Sequence, residues 1–393
     1  MTIRLSNELS DMLCALLPPT RVPVRCRHAP RVRSNPRAHY GPVRVLHVIG
    51  DLLEVGNGIV NSTVDLAALA ATRHDVAIAS AGGDFEPLLR DYGVTLFELD
   101  QRRTPRGIAR AAARFRHIVA TYDPDIVHAQ MMTGAVLARV LRLRSRYRIV
   151  TTVHNEFQRS AIAMGLGDLV TANSVAVATA MARRGVPKAK LRIVSIGALG
   201  GPRRRRRADN VAPLTLAHPA IVTVAGLFFR KGIDVLIAAF ERTTHRGAHL
   251  YIVGNGPDRV AFEAQARASS AATRIHFTGF EPRPERYMCA ADIFVLASRK
   301  EPFGMVLSEA REAGCAIVAS NVDGIPEALD DGAAGILIPP GDASALARAL
   351  DTLLGDRRAL DDARASAGAR LERFTAQRYC DDMEAVYAEA LHR

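Results

Sequence analysis

Aromatic residues are scarce in this sequence: it has no tryptophan, and its aromatic content is only 5%. Proteins that bind single-stranded nucleic acid stack bases on aromatic side chains, so this composition supplies such a function poorly and we expect no nucleic-acid partner. The 5 cysteines are widely scattered and form no CxxC pair. This spacing argues against a zinc ribbon or a redox motif and fits a reducing compartment.

Long apolar runs and excess acidic residues are also missing. No stretch approaches 18 uninterrupted apolar residues, so the sequence predicts no membrane-spanning segment. Lysine and arginine total 52 against 40 aspartate and glutamate, which gives a net charge of +12. Such a balance favours an anionic partner, namely nucleic acid, a lipid surface or a phosphorylated ligand. Alternatively, the charge is solvated and only keeps the protein in solution.

The chain has 393 residues, of which 48% are hydrophobic, so length suggests two domains and allows three. Residues 1–41 are rich in arginine and proline, which predicts a flexible basic arm. A second break is predicted at 197–219. This segment contains five consecutive arginines, Arg203 to Arg207, whose mutual repulsion opposes compact structure and indicates a basic linker.

Strand-like and helix-like segments alternate on both sides of that linker. This alternation predicts an α/β fold with two doubly wound, Rossmann-like domains whose parallel sheets are covered on both faces. Ligands of such sheets bind beyond the carboxyl ends of the strands, so two facing domains would form one cleft. The predicted strands are 43–49, 75–80, 94–99, 125–128, 148–154 and 169–173 in the first domain, and 220–224, 248–253, 275–278, 293–296, 316–320 and 335–338 in the second.

Three glycine-containing turns follow predicted strands. The first, Gly56-Asn57-Gly58, could bring the backbone close to an anion at a helix start, but it lacks the GxGxxG spacing of a dinucleotide site and is alternatively a tight turn. The second, 226–232, places Arg230 and Lys231 at a helix start. Two cations there disfavour a helix unless a phosphate group binds; the alternative is a solvated basic loop. The third, 254–257, is by itself a weak signal.

The segment 301–310 is the most informative. Pro302 suits the first helical position and Gly314 the position past the helix end. Two glutamates eight residues apart, Glu301 and Glu309, would then be about 12 Å apart along the axis. This is too far for a glycosidase pair but suits one elongated ligand with a carboxylate at each end. A surface helix is the alternative for the bare pattern.

His154 ends a predicted strand, where a polar side chain points toward the cleft and can hydrogen-bond a hydroxyl group. Alternatively, it is a structural histidine that caps the strand. We expect His47, His128 and His276 to be core or loop residues with satisfied hydrogen bonds. Glu156 is the nearest candidate for a nucleophile, although its direction is not determined by the sequence.

Taken in order, these segments resemble those of the retaining glycosyltransferases of family 4, which have the GT-B double-Rossmann fold. The resemblance covers about residues 43–393. It rests on the phosphate-binding segment 225–236, the glycine turn 253–257, the E-x7-E motif from Glu301 to Glu309, and the loop 323–327. The chain departs from the family where many members have an arginine after the first glycine of the phosphate segment, because Leu227 follows Gly226 here. Asp323 also stands where small residues are frequent.

The resemblance implies a role for each site residue. Lys231 would bind the donor diphosphate with help from Arg230, Glu301 would face the donor sugar near its anomeric carbon, and Glu309 would hold the ribose hydroxyls. His154 would contact the donor sugar from the other domain. The remaining donor-binding positions are main-chain groups of Phe303, Gly304 and Met305 together with Gly58, Gly254 and Gly256.

The implied function is transfer of a sugar from a nucleotide-sugar donor to a hydroxyl group of a glycan or lipid-linked acceptor, with retention of anomeric configuration. No cofactor and no metal ion would be required. The implied domains are an acceptor domain at 42–196, a nucleotide-sugar domain at 220–375 and a C-terminal helix at 376–393 that packs back toward the first domain. Two alternatives stay open: a nucleotide-sugar epimerase of the same fold, against which the intact E-x7-E argues, and a non-catalytic binder of anionic polymers.

A cytoplasmic location follows from the same reasoning, with attachment to the inner face of the cytoplasmic membrane as an additional hypothesis. Arg106, Arg110 and Arg114 recur every four residues and share one helix face. Each basic residue near an anionic bilayer contributes about 1 kcal/mol. A solvated helix face is the equally good alternative.

Overall fold

The structure is a computed structural model that describes residues 41–102, 104–142, 145–207 and 214–393. The predicted arm at 1–41 therefore lies outside the described residues apart from Gly41. The described chain forms two α/β domains, as the alternation of strands and helices predicts.

The first domain contains a seven-stranded parallel sheet with the order β3-β2-β1-β4-β5-β6-β7. Its strands are rich in β-branched residues and, apart from the edge strand β3, almost wholly buried, because helices cover both faces of a parallel sheet. The strands are β1 (Arg44–Val48), β2 (Asp75–Ser80), β3 (Thr95–Glu98), β4 (Ile126–Ala129), β5 (Arg148–Val153), β6 (Leu169–Ala172) and β7 (Leu191–Ile193). The helices are Gly58–Ala70, Glu86–Asp91, Pro105–Tyr122, Met132–Val140 and Val175–Arg183.

The second domain repeats the pattern with a six-stranded parallel sheet in the order β10-β9-β8-β11-β12-β13. In both sheets the chain order reverses beside the first strand, which is where doubly wound folds bind ligands. The strands are β8 (Ala220–Val224), β9 (His249–Val253), β10 (Ile275–Gly279), β11 (Ile293–Leu296), β12 (Ala316–Ser320) and β13 (Ile336–Ile338). The helices are Ile233–Arg242, Arg259–Ala268, Glu285–Cys289, Met305–Glu312, Ile325–Ala328, Ala343–Gly355 and Arg357–Ala367. The fold class predicted from the sequence is thereby confirmed.

The last helix, Ala376–His392, packs against the first domain although it follows the second in the chain. The hydroxyl group of its Tyr387 lies 2.8 Å from Nδ1 of His128, and Asp381 forms an ion pair of 2.8 Å with Arg73. The side chain of Arg192 on β7 also pairs with Glu389. The first domain is thus completed by the end of the chain.

The arginine run is compact, contrary to the expectation that repulsion would keep it open. Pro202–Arg207 is a short helix, and Arg203 on it is buried. The reason is a counter-charge far away in sequence: Arg203 pairs with Asp65, and its neighbour Arg204 pairs with Glu312. Acidic side chains of both domains therefore neutralise the first half of this run.

Three shorter differences concern helix positions. The helix expected to begin at Pro302 begins at Met305, because Gly304 has the left-handed value φ = 81° and interrupts the helical path. The estimate of about 12 Å between Glu301 and Glu309 assumed an unbroken helix, and the structure does not have that helix between them. A helix that the sequence analysis does not predict, Arg357–Ala367, also precedes the last one. Gly314, by contrast, follows the helix end with φ = 85°, as predicted.

In the described part of the chain no helix is both long and apolar enough to cross a membrane.

Candidate functional site

A cleft of about 600 Å³ lies between the carboxyl ends of the two sheets and is lined by both domains. The first domain contributes the loop 54–59 together with His154, Asn155 and Phe157, whereas the second contributes residues within 224–231, 253–255, 280–285 and 301–309. Almost every site residue predicted from the sequence lines this cleft. Gly256 is the exception, since it lies one residue beyond the lining segment.

Lys231 and Glu301 form an ion pair at the floor of the cleft. Their side chains are only 14% and 9% exposed, so the pair is shielded from solvent. Ser298 adds a hydroxyl group 3.3 Å from the Glu301 carboxylate. The ammonium group predicted to hold a diphosphate and the carboxylate predicted to face the sugar therefore neutralise each other.

Two residues hold the backbone around this pair. Gly232, with φ = 66°, begins the helix after Lys231, and a Cβ atom there would lie 1.9 Å from the carbonyl oxygen of Ala297. Only glycine permits this approach of the phosphate segment to the end of β11. The carboxylate of Asp323 accepts a hydrogen bond of 2.9 Å from the backbone nitrogen of Glu301. Asp323, at which the chain departs from the family, thus supports the backbone of Glu301.

Arg230 projects between two aromatic rings. Its guanidinium carbon lies 5.2 Å from the ring centroid of Phe157 in the first domain and 5.5 Å from that of Phe228 in the second. Both distances are within the range of cation–π attraction. Arg230 is therefore a positive charge placed at the joint of the two domains, beside Lys231.

Glu309 lies half-buried on the helix Met305–Glu312 and lines the cleft. Burial raises the pKa of its carboxyl group, while the nearby charges of Arg204 and Arg203 oppose that rise. Both arginines also line the cleft. The E-x7-E glutamates therefore differ in setting, since Glu301 is paired with an ammonium group and Glu309 faces guanidinium groups at longer range.

Main-chain groups near the helix start face the same cleft. The helix after Gly304 begins at Met305, and the first N–H groups of a helix have no partner within it. Phe303 is only 2% exposed and packs near Phe374, with ring centroids 6.2 Å apart. Its side chain is thus part of the core, and only its main chain is available to a ligand.

The glycine turns bring backbones into close contact. A Cβ atom at Gly254 would lie 2.0 Å from the carbonyl oxygen of Ala225, and one at Gly256 would lie 2.5 Å from that of Leu227. These glycines pack the turn against the phosphate segment. Gly58 starts the helix of the first loop near Met305 of the other domain, whose sulfur would be 3.5 Å from an added Cβ atom.

His154 lies at the end of β5, is 8% exposed and lines the cleft. Its Nε2 atom is 2.9 Å from Oε1 of Gln130. Burial lowers the pKa of His154 to about 4, so the imidazole is neutral near pH 7. His47 and His128 are fully buried, as expected for core residues, but Nε2 of His47 has no hydrogen-bond partner in the described structure.

Glu156 does not line the cleft. Burial raises the pKa of its carboxyl group, and the buried Oε2 atom accepts no hydrogen bond within the described residues. Its backbone oxygen accepts a hydrogen bond from Arg184. The structure therefore does not place this carboxylate where it could attack a donor sugar.

Three residues of the cleft region were missed by sequence reasoning. Arg203 and Arg204 were hidden in a run that suggested a solvated linker, and Gln130 carries no charge and belongs to no motif. The only available signal for Gln130 was its position directly after β4, at the carboxyl edge of the sheet. Among the described residues no group of three or more His, Cys, Asp or Glu side chains is arranged to hold a metal ion.

Two family models match the chain. Residues 56–198 match the family described as Glycosyltransferase Family 4, and residues 205–370 match the family described as Glycosyl transferases group 1. The first model covers the first domain and the second model begins in the helix Pro202–Arg207 and ends after the helix Arg357–Ala367. The boundary between the two matches thus coincides with the compact arginine run.

Similar curated proteins include two bacterial transferases. A lipopolysaccharide core biosynthesis glycosyltransferase, LpsE, of Rhizobium meliloti is 28% identical over 48% of this chain and 54% of its own length. A GDP-mannose-dependent alpha-(1-6)-phosphatidylinositol monomannoside mannosyltransferase of Mycobacterium tuberculosis is 29% identical over 71% of this chain and 78% of its own length. The match to the glycogen synthase of the same species, at 35% identity, spans only 37% of that enzyme. The chain thus spans about half or less of the length of some of its curated relatives.

Solved structures share the whole architecture. Anabaena Alr3699/HepE in complex with UDP-glucose superposes with a TM-score of 0.74 at 20% identity, over 88% of this chain and all of that one. WaaG, a glycosyltransferase involved in lipopolysaccharide biosynthesis, superposes with a TM-score of 0.66 at 17% identity, over 87% of this chain and 98% of that one. At these identities the likeness shows the fold, and that fold is GT-B.

Proposed function

We propose that this chain, which carries both domains of a GT-B glycosyltransferase, moves a sugar from a nucleotide-sugar donor to a hydroxyl group. That hydroxyl group belongs to a glycan or a lipid-linked acceptor, and the sugar retains its anomeric configuration. The observation that carries this proposal is the composition of the cleft between the two sheets. It combines the paired Lys231 and Glu301 with Arg230 and Glu309 from the second domain, opposite His154 from the first.

The cleft has a place for each part of a nucleotide sugar. Lys231 and Arg230 supply positive charge for a diphosphate, and the first N–H groups of the helix Met305–Glu312 add donors. Glu309 offers a carboxylate to ribose hydroxyls. Glu301 lies beside Lys231, where a sugar attached to that diphosphate would begin. Nucleotide sugars are named for related proteins, GDP-mannose for the mycobacterial relative and UDP-glucose for HepE, which supports this donor class.

The reaction that fits these groups is a front-face substitution. The acceptor oxygen forms a bond to the anomeric carbon while the bond from that carbon to the diphosphate oxygen breaks. The proton of the acceptor hydroxyl passes to the departing phosphate. Because Glu156 stands outside the cleft, double displacement lacks a carboxylate nucleophile from this segment. The protein's contribution is positioning and stabilisation of the charge that develops on the leaving group.

The leaving group determines which residues matter most in the transition state. Negative charge on the diphosphate increases as the sugar leaves, so Lys231 and Arg230 interact more strongly with the transition state than with the bound donor. Charge stabilisation by these side chains would make a cofactor unnecessary, and we propose that none is required.

A panel of nucleotide sugars tests the proposal. We expect one donor to raise the melting temperature of the purified protein, since a ligand that binds only the folded state stabilises it. The same donor should be hydrolysed slowly to its nucleoside diphosphate in the absence of acceptor. An epimerase would instead convert the donor sugar without releasing it, and a binder of anionic polymers would be stabilised by heparin alone. Either of these outcomes would overturn the proposed transfer.

A further inference from the structure

A connected set of buried polar side chains lies beneath the cleft. It begins at His154 on the cleft wall and ends at Tyr387 on the last helix. Its members are His154, Gln130, His47, His128, Thr152, Thr171 and Tyr387. The arrangement follows from strand register, because His47 on β1 pairs directly with His128 on β4.

The hydrogen bonds around His128 are compatible with either neutral tautomer. Oγ1 of Thr152 lies 2.7 Å from Oγ1 of Thr171 and 2.7 Å from Nε2 of His128, and either hydroxyl group can be the donor of the first contact. The hydroxyl group of Tyr387 lies 2.8 Å from Nδ1 of the same ring. The tautomer of His154 therefore depends on its own contact with Gln130.

The Gln130 amide lies between His47 and His154. Its nitrogen lies 3.3 Å from Nδ1 of His47. It is also 3.3 Å from both Nδ1 and Nε2 of His128, so it faces that ring and not one of its nitrogens. The amide oxygen faces His154, 2.9 Å from Nε2. That nitrogen must carry the hydrogen, because a carbonyl oxygen can only accept.

We propose that Gln130 is a positioning residue that holds His154 as its Nε2–H tautomer and leaves Nδ1 as a hydrogen-bond acceptor for the cleft. The hydrogen bond made by one ring nitrogen determines which role remains for the other. An acceptor at Nδ1 selects a ligand that presents a hydroxyl group. The identity of that ligand as a donor sugar rests on the proposed function, whereas the tautomer does not.

Burial supports this assignment. His154, Gln130 and His47 are 8%, 3% and 0% exposed, and burial lowers the pKa of His154 to about 4. The ring is therefore neutral and has a defined tautomer at pH 7. The network also retains a cost, because the buried Nε2 atom of His47 has no partner among the described residues.

Nitrogen NMR of the intact protein with ¹⁵N-labelled histidine rings tests the proposal directly. His154→Asn identifies the signals of His154 by their loss. We expect wild type to show the Nε2–H pattern for this residue without any ligand. Gln130→Met, an unbranched replacement of similar length, should convert it to a mixture of tautomers and lower kcat about tenfold with a smaller change in KM.

Tyr387→Phe is the matched control. It removes a buried hydrogen bond from His128 and leaves the contact between Gln130 and His154 intact. We expect a lower melting temperature with an unchanged His154 tautomer and unchanged kcat. An Nδ1–H pattern in wild type overturns the proposal, and so does an unchanged tautomer in Gln130→Met. If Gln130→Met does not fold, the wild-type spectrum still decides. The predicted tautomer in a protein that acts on no nucleotide sugar would count against the proposed function alone.

Discussion

Asp65 and Arg203 form an ion pair from which solvent is almost excluded. Oδ2 of Asp65 lies 2.8 Å from Nη2 and 3.0 Å from Nε of Arg203, and Oδ1 accepts from the backbone nitrogen of the same arginine at 3.0 Å. The two side chains are 0% and 3% exposed. The pair joins the helix Gly58–Ala70, which begins at the first loop of the cleft, to the short helix that carries Arg204.

Breaking this pair should strongly destabilise the protein. Asp65→Asn or Arg203→Met leaves one charge buried without its partner, which costs about 3–5 kcal/mol. The double variant Asp65→Leu/Arg203→Met should lose much less free energy of unfolding than the two single variants lose together. Denaturant unfolding measures these free energies. Arg358→Met is the control, because Arg358 faces Asp362 at 3.9 Å on an exposed helix, where a pair contributes about 0.5 kcal/mol. Equal losses for all the variants would contradict the prediction.

Donor binding should weaken at low pH through Glu309. Burial raises the pKa of this carboxyl group above its ordinary value of 4.5, and the carboxylate is the form that accepts from ribose hydroxyls. Donor affinity should therefore fall as pH decreases through the raised pKa. For the free protein the sign is opposite: the folded state binds this proton more tightly, so the contribution of Glu309 to stability is present at low pH and is lost as pH rises.

Glu309→Gln separates the two effects. It should weaken donor binding at pH 7 by about 1.5–3 kcal/mol, the range of a hydrogen bond to a charged group. The substitution should also remove the pH dependence of donor binding that the Glu309 carboxyl group causes. Calorimetric titration with the donor at several pH values measures both. Binding by Glu309→Gln that is as tight as in wild type would show that this carboxylate does not hold the ribose.

Lys231→Ala should reduce turnover more than Glu309→Gln does. Lys231 contacts the group on which charge develops, so its loss raises the barrier rather than only weakening the bound state. It also leaves the Glu301 carboxylate without its ammonium partner. Steady-state kinetics should show a decrease mainly in kcat for Lys231→Ala and an increase mainly in KM for Glu309→Gln. Similar, nearly wild-type kinetics for both variants would remove the motif assignment.

Activity should persist in a chelator, and the product should keep the anomeric configuration of the donor. Lys231, Arg230 and the first N–H groups of the helix Met305–Glu312 provide the charge stabilisation that the leaving diphosphate requires. An NMR time course in the presence of EDTA follows both properties at once. An inverted product, or activity that disappears in EDTA and returns with magnesium, would contradict this mechanism.

The basic helix Pro105–Tyr122 should bind anionic membranes. Arg106, Arg110, Arg114 and Arg116 are all exposed, and each basic residue at an anionic surface contributes about 1 kcal/mol. Sedimentation with phosphatidylserine vesicles should decrease steeply as salt increases, because screening weakens attraction between exposed charges. Glu substitution at Arg106 and Arg110 should reduce binding.

The matched control reverses two exposed arginines on the other domain. Arg357 and Arg358 are 76% and 91% exposed, so Arg357→Glu/Arg358→Glu changes the net charge equally. An equal loss of vesicle binding in both double variants would indicate that binding responds to net charge alone. Binding that ignores salt and lipid charge would contradict membrane attachment through this helix.

The sequence predicts the two sheets well because most of their strands are buried runs rich in β-branched residues. It does not predict β7, Leu191–Ile193, where an arginine separates the only two apolar residues. The arginine run misleads for a different reason: its repulsion is local, whereas the compensating Asp65 is 138 residues away. The helix start at Met305 depends on the backbone of Gly304, which a pattern that begins with proline does not reveal.

The site residues also fall into those that the sequence predicts and those that it does not. Lys231, Glu301 and Glu309 belong to a recurring motif and are found by spacing. Gln130 acts through its contacts with His47 and His154, which come from different strands, and no local pattern connects these positions. Its role becomes visible only when the strands are placed side by side.

The return of the last helix to the first domain has a consequence for synthesis. The first domain emerges from the ribosome when about half of the chain has been made. At that point His128 lacks the hydroxyl group of Tyr387, and Arg192 lacks its partner Glu389. The sheet can form early, but its buried histidines reach their final environment only after the second domain has emerged. Maturation of the first domain therefore waits until the helix Ala376–His392 has been made.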